Sequence, residues 1–211
     1  MNIYKVLFII FIAFWASCSK FKEPDKVKGF IEQKKYDLAI KEAQKESDKA
    51  KKFNYLGIIY SKKGDFKKSE EYYNKAIKID SKNFKALYNL AVLKTKMRKF
   101  TEALELLNEL EKKYPKNTNI KIKKSWVNYY LLANSNAIAI LKETVDENRK
   151  ILTVYQWKEI SKLYENLKRY EAAAEAYDYY ISKSKLKNLK IDIKKAQRHL
   201  NMLRSERNEE L

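Results

Sequence analysis

Residues 50–83 read AKKFNYLGIIYSKKGDFKKSEEYYNKAIKIDSKN. Apolar and small residues fall at Phe53, Leu56, Gly57 and Tyr60, and again at Ser69, Tyr73 and Ala76 after Gly64-Asp65-Phe66. Steps of three and four residues trace one face of each of two helices, and the glycine between them marks a turn. Shifted by one window, residues 84–117 put Leu87, Leu90 and Ala91 in the first set of slots. Phe100, Ala103, Leu107 and Leu110 follow, with Pro115 near the end. Residues 154–187 give Trp157, Ile160, Ser161 and Tyr164, then Tyr170, Ala173, Tyr177 and Tyr180. Small residues at Gly57, Ala91 and Ser161, and at Ser69, Ala103 and Ala173, let two antiparallel helices approach closely while the large residues fill the crossing.

A fixed period of this length is the mark of a repeat array. The order of large, apolar, small and aromatic on the first helix, then small, aromatic, small on the second, resembles the tetratricopeptide repeat. The reading is all-α: an antiparallel helix-pair solenoid with a C-terminal capping helix. Three glycines and two prolines in 211 residues also argue against a sheet-and-turn architecture, which leans on those residues. The expected divisions are a signal peptide over 1–17, a lipid-anchored tether over 18–28 and an N-terminal half-repeat over 29–49. Repeats follow at 50–83, 84–117, 118–153 and 154–187, and a capping helix at 188–211. The half-repeat rests on Phe30, Tyr36, Ala39 and Ala43.

The window 118–153 is degenerate and two residues longer. Ala137 and Leu141 are in register on its second helix, but Lys124 and Ser125 stand where an apolar and a small residue belong. Trp126, Val127, Tyr129 and Tyr130 carry the apolar weight there. After the last repeat, Leu186, Leu189, Ile193, Ala196, Leu200 and Leu203 form a one-sided stripe. It reads as the cap that such arrays need; the alternative is a short coiled coil giving a homodimer.

The first 17 residues read as an export signal, with Lys5 in a polar start and an apolar run from Val6 to Ala16 that is short for a bilayer span. Trp15-Ala16-Ser17-Cys18 resembles a bacterial lipobox, with Trp15 where the family usually has leucine. The resemblance implies a diacylglycerated Cys18 at the mature N-terminus and a chain lipid-anchored to a bacterial membrane, periplasmic or at the cell surface. An uncleaved anchor and plain secretion are the alternatives. Cys18 is the sole cysteine, so no intramolecular disulfide can form.

The net charge of +19 invites a polyanion partner. Against nucleic acid stand the export signal and the basic composition, in which only six of 46 basic residues are arginine. The lysines are spread along the chain among carboxylates, as on solvated helix faces. Catalysis is not expected. The single histidine, His199, has no second metal ligand or triad partner and reads as exposed. Gly29, Gly57 and Gly64 form no phosphate loop, and Glu102, Glu105 and Glu109 read as a solvated face. No cofactor or metal is expected.

The resemblance implies a groove lined by the first helix of each repeat, where a peptide is held. The matching slots are Lys51, Asn54, Ile58, Ser61 and Lys62, then Lys85, Tyr88, Val92, Thr95 and Lys96. Ile122, Trp126, Tyr129 and Tyr130 follow in the degenerate repeat, and Tyr155, Lys158, Lys162 and Glu165 in the last. Mixed lysines and aromatics suit an acidic or aromatic-bearing peptide; alternatively Trp126, Tyr129 and Tyr130 fill a distorted core. Of the slots that clamp a C-terminal carboxylate in co-chaperones, only Asn89 and Lys123 fit, so that clamp is not expected. The expected role is a non-catalytic envelope scaffold binding an envelope protein or peptide. The plan is similar to lipoproteins of outer-membrane barrel assembly and pilus secretin assembly. A cell-wall or synthase-binding accessory is one alternative, and a basic nucleic-acid-binding module another.

Overall fold

The computed structural model describes residues 25–186 and 193–209. Cys18, the export signal and most of the tether lie outside the described residues, as does Leu189. The side chains of Leu186, Ile193 and Ala196 are likewise not described. The described residues form helices and connecting turns. They are α1 (Lys26–Glu32), α2 (Tyr36–Gln44), α3 (Lys49–Lys63), α4 (Phe66–Ile79), α5 (Phe84–Lys96) and α6 (Phe100–Lys113). The rest are α7 (Thr118–Tyr130), α8 (Asn134–Asn148), α9 (Val154–Asn166), α10 (Tyr170–Leu186) and α11 (Ile193–Glu209). Two compact units divide between Ile79 and Asp80.

In the first unit α1 packs on α2 and α3 on α4. The stretch read as a half-repeat thus holds two short helices, the first of which begins at Lys26, within the stretch read as tether. Val27, Ala39, Ala43, Leu56 and Ile59 form its core. Gly57 sits against the ring of Tyr73 so closely that a Cβ there would lie 2.5 Å from two ring carbons. The small slot is therefore a steric requirement at this crossing.

In the second unit the pairs α5–α6, α7–α8 and α9–α10 pack within themselves, and α11 packs on α10. Ala103, Ala137 and Ala173, one per pair, are fully buried. Leu200 and Leu203 of α11 are also buried, in the same cluster as Trp157, Tyr180 and Ile181. Their burial makes α11 the cover of the last helix pair.

Helix ends repeat as regularly as the cores. Asp25, Asp48, Asn83, Asn117 and Thr153 cap α1, α3, α5, α7 and α9, each accepting a backbone N–H of the first turn. The same helices stop at Lys34, Gly64, Arg98, Leu132 and Lys168, all at positive φ. The following N–H then reaches back to the carbonyl five residues earlier, as from Asp65 to Tyr60 and from Ala133 to Asn128. Four of these five left-handed residues are not glycine, each costing about 1 kcal/mol.

The degenerate repeat keeps the geometry with different chemistry. Ser125 is fully buried, so the small slot is filled in register after all. Lys121, also buried, donates to Glu143 at 2.6 Å and Glu147 at 3.2 Å on α8. Lys124 donates to Glu111 of α6 at 2.5 Å. One repeat earlier, buried Lys94 donates to Glu102 at 2.5 Å. Lysine stems occupy apolar slots and glutamates of neighbouring helices receive the ammonium groups. Glu102 is therefore more than part of a solvated face.

Candidate functional site

α7 packs against both α5 and α9, which sets three first helices side by side in the second unit. Between them lies a cleft of about 390 Å³. Val92, Thr95 and Lys96 of α5 form one wall, with Arg98 from the following turn and Phe100 from the start of α6. Lys123, Trp126 and Tyr130 of α7 form the floor, and Glu159 and Lys162 of α9 the far wall.

Aromatic stacking fixes the floor. Tyr130 stacks on Phe100 with centroids 5.1 Å apart and on Trp126 at 5.9 Å. Trp126 is only 6% exposed and belongs to the core, whereas Tyr130 is 44% exposed. Trp126 thus fills the repeat core, while Tyr130 opens onto the cleft. The buried Trp126 Nε1–H has no hydrogen-bond partner among the described residues, a state that buried donors rarely keep without a reason.

Four cations and one carboxylate line the cleft. Burial pushes the Lys123 ammonium below the usual lysine range, against the opposing pull of Glu159. Burial likewise pushes the Tyr130 hydroxyl up, with Tyr129 and Glu159 adding to it. An added anion would lower the cost of holding Lys123 charged there.

Of the slots expected in the groove, Val92, Thr95, Lys96, Trp126, Tyr130 and Lys162 come together. Lys85, Tyr88 and Lys158 do not line the cleft. Tyr88 is half-buried, stacks on Phe84 and donates to the Asn119 carbonyl at 3.4 Å. Burial, then the Glu159 charge, pushes its hydroxyl up to about 12. The Lys158 ammonium lies 5.7 Å from the Tyr180 ring centre. Gln156 bridges to Thr118 and Asn119 at 2.6 and 2.9 Å, tying the starts of α7 and α9 together.

In the first unit Asn54 is buried and Ile58 half-buried, while Lys62 is exposed. Lys51 pairs with Glu46 and lies over the Tyr55 ring. His199 is half-buried rather than exposed: its Nε2 lies 3.3 Å from Glu165, and its ring meets Tyr177 edge-on. Among the described residues no group of three or more His, Cys, Asp or Glu could hold a metal ion. Among the same residues no helix is long and apolar enough to cross a membrane.

Tetratricopeptide repeat family models match residues 50–83 and 72–105. No curated protein matches the sequence. Among solved structures, a thermophilic TPR protein of Thermus thermophilus, TTC0263, is 14% identical with a TM-score of 0.67 over 84% of this chain and 94% of that one. Pseudomonas aeruginosa pilF is 19% identical, TM-score 0.60, over 74% of this chain and 72% of that one. MamA from Desulfovibrio magneticus RS-1 is 13% identical, TM-score 0.57, over 76% and 92% respectively. At these identities the likeness is one of fold.

Proposed function

Because the chain carries tetratricopeptide repeats, we propose that it is a binding scaffold whose α5–α7–α9 cleft holds an acidic segment of a protein partner, anchored by an aromatic or apolar side chain. Proteins of this repeat class bind protein partners and are generally non-catalytic. The observation that carries the reading is the cleft itself: Lys96, Arg98, Lys123 and Lys162 around the partly exposed stack of Phe100, Tyr130 and Trp126, with Glu159 the one carboxylate. A carboxylate on the partner would relieve Lys123, and an aromatic would extend the stack.

The working place we propose is the bacterial envelope, with the chain held by lipid on Cys18 and the partner an envelope protein. That part rests on the apolar run and Ala16-Ser17-Cys18 alone. Two acyl chains would give stable anchoring where one gives marginal binding.

A crosslinking pull-down from native membranes tests the cleft. Tyr130→Ala should weaken capture of the crosslinked partner by about thirtyfold, the effect of losing one anchoring aromatic. Lys123→Glu should do the same by charge reversal. Normal capture by both folded variants overturns the reading. Radiolabelled palmitate tests the anchor separately: it should enter the native protein and not Cys18→Ser, and equal labelling of both removes the lipid.

A further inference from the structure

In the second unit α5, α7 and α9 run side by side in one direction. Gln156 ties the starts of α7 and α9 together, and the Phe100–Tyr130 stack joins the turn after α5 to the end of α7. The turns that close these helices, residues 97–99, 131–133 and 167–169, therefore share one edge of the unit.

The middle turn is the anomalous one. Tyr130, Leu131 and Leu132 follow one another in the chain and are 44%, 38% and 86% exposed. Leu132 is the most exposed large apolar residue among the described residues, and it holds a φ of 61°. Glycine or asparagine would relieve the backbone at that position and bring no apolar side chain into water. Single exposed leucines are ordinary, but a strained one at the tip of an apolar run loses stability twice over.

The turns on either side are cationic. Arg98 and Lys99 stand in one, Lys168 and Arg169 in the other, all four are exposed, and the three turns hold no carboxylate. The carboxylates nearest along the chain are Glu102, Glu165 and Glu171. Glu102 is engaged by Lys94 at 2.5 Å and Lys99 at 3.3 Å, Glu165 faces His199 at 3.3 Å, and Glu171 lies in the first turn of α10.

An apolar tip between two pairs of cations matches the layers of an anionic bilayer. Leucine suits the acyl boundary, tyrosine the headgroup level, and lysine and arginine the phosphates. We propose that this edge docks on an anionic lipid surface, with Leu131 and Leu132 entering the interface. A continuous negative surface answers both cationic turns at once and takes up a protruding tip without a preformed pocket. Docking of this kind is independent of lipid on Cys18. It brings the α5–α7–α9 cleft, to which Arg98 and Tyr130 belong, to the membrane surface.

The test uses the full chain with vesicles of phosphatidylglycerol or of phosphatidylcholine. Cys18→Ser with Asn134→Cys leaves one thiol, at an exposed position beside the tip, for the fluorophore nitrobenzoxadiazole. The label reads the tip locally, so any membrane binding through residues 6–16 does not register. Its emission should rise and shift to the blue on the anionic vesicles, and much less on the zwitterionic ones. Leu132→Asn puts a residue tolerant of the left-handed turn in place of the leucine. It should weaken docking about tenfold, as for one leucine side chain left in water. Lys168→Asn with Arg169→Gln should weaken it about twenty-five-fold, at about fivefold for each charge near an anionic surface. A water-like emission on anionic vesicles, equal shifts on both lipids, or docking undiminished in either folded variant overturns the proposal. Water-like emission together with weaker capture of the crosslinked partner by Leu132→Asn would assign the edge to a protein interface instead.

Discussion

The Ser161 hydroxyl on α9 donates to the carbonyl of Ala173 on α10 across 2.8 Å. In the α3–α4 pair the direction is reversed: the Ser69 hydroxyl of the second helix donates to the carbonyl of Gly57 on the first, also at 2.8 Å. Either member of the small-residue pair can thus supply the bond, provided both helices come close enough.

Ser161→Ala keeps the close approach and loses only that bond, so it should cost about 1 kcal/mol. Ser161→Leu would force α9 and α10 apart and should cost about 1–3 kcal/mol. Urea unfolding of the two variants measures the difference. Equal destabilisation would mean that the hydroxyl, and not the spacing, matters.

Gly57→Ala should destabilise even though alanine is the better helix former by about 1 kcal/mol. The added Cβ meets the Tyr73 ring at 2.5 Å, and overpacking typically costs about 1–3 kcal/mol. Tyr73→Leu in the same chain should recover part of the loss. A double-mutant cycle in thermal melts gives the coupling.

Leu132 holds a φ of 61° at the turn after α7 and is 86% exposed. Leu132→Gly should therefore stabilise by about 0.5–1 kcal/mol, since glycine adopts this conformation without strain. Leu132→Ala, which keeps a Cβ, should change little. A melt in which alanine and glycine behave alike would remove strain from the account.

Tyr164 is buried, and burial, then Asp146 and Glu175, pushes its hydroxyl up from 10.0 to about 12. The unfolded chain releases this proton first as the medium turns alkaline. The stabilisation is thus complete below pH 10 and lost as pH rises towards 12. Tyr164→Phe should remove about 2 kcal/mol of the difference in unfolding free energy between pH 9 and pH 12. Comparing the two chains across that range isolates the group from the lysines, which titrate in both.

The sequence carried the fold where size alone decides: Gly57, Ala103 and Ser161 are small because two backbones pass there. It did not reveal how Lys121 and Lys124 could occupy apolar slots, because the answer lies on other helices, in Glu143, Glu147 and Glu111. Of the left-handed turn residues only Gly64 announced itself; Arg98, Leu132 and Lys168 are residue types with no preference for positive φ. The cleft was half legible. Trp126 and Lys162 were read from the repeat register and Lys123 from the carboxylate-clamp slots, but Glu159, three residues before Lys162, faces the same space. One helical turn of reach would have added it. Arg98 enters from the turn between helices and Phe100 from the start of α6, which a groove built only from first helices leaves out.

The glutamate-bound lysines also give the chain an uneven chemical surface. An amine-reactive reagent meets 40 lysines, most of them open to solvent. The ammonium groups of Lys94, Lys121 and Lys124 sit on side chains only 8%, 11% and 19% exposed, each held by a carboxylate. Brief acetylation of the native protein should leave these three unmodified while their neighbours react. Because they mark where helices meet in the second and third repeats, their protection turns a mass-spectrometric footprint into a ruler for the repeat register.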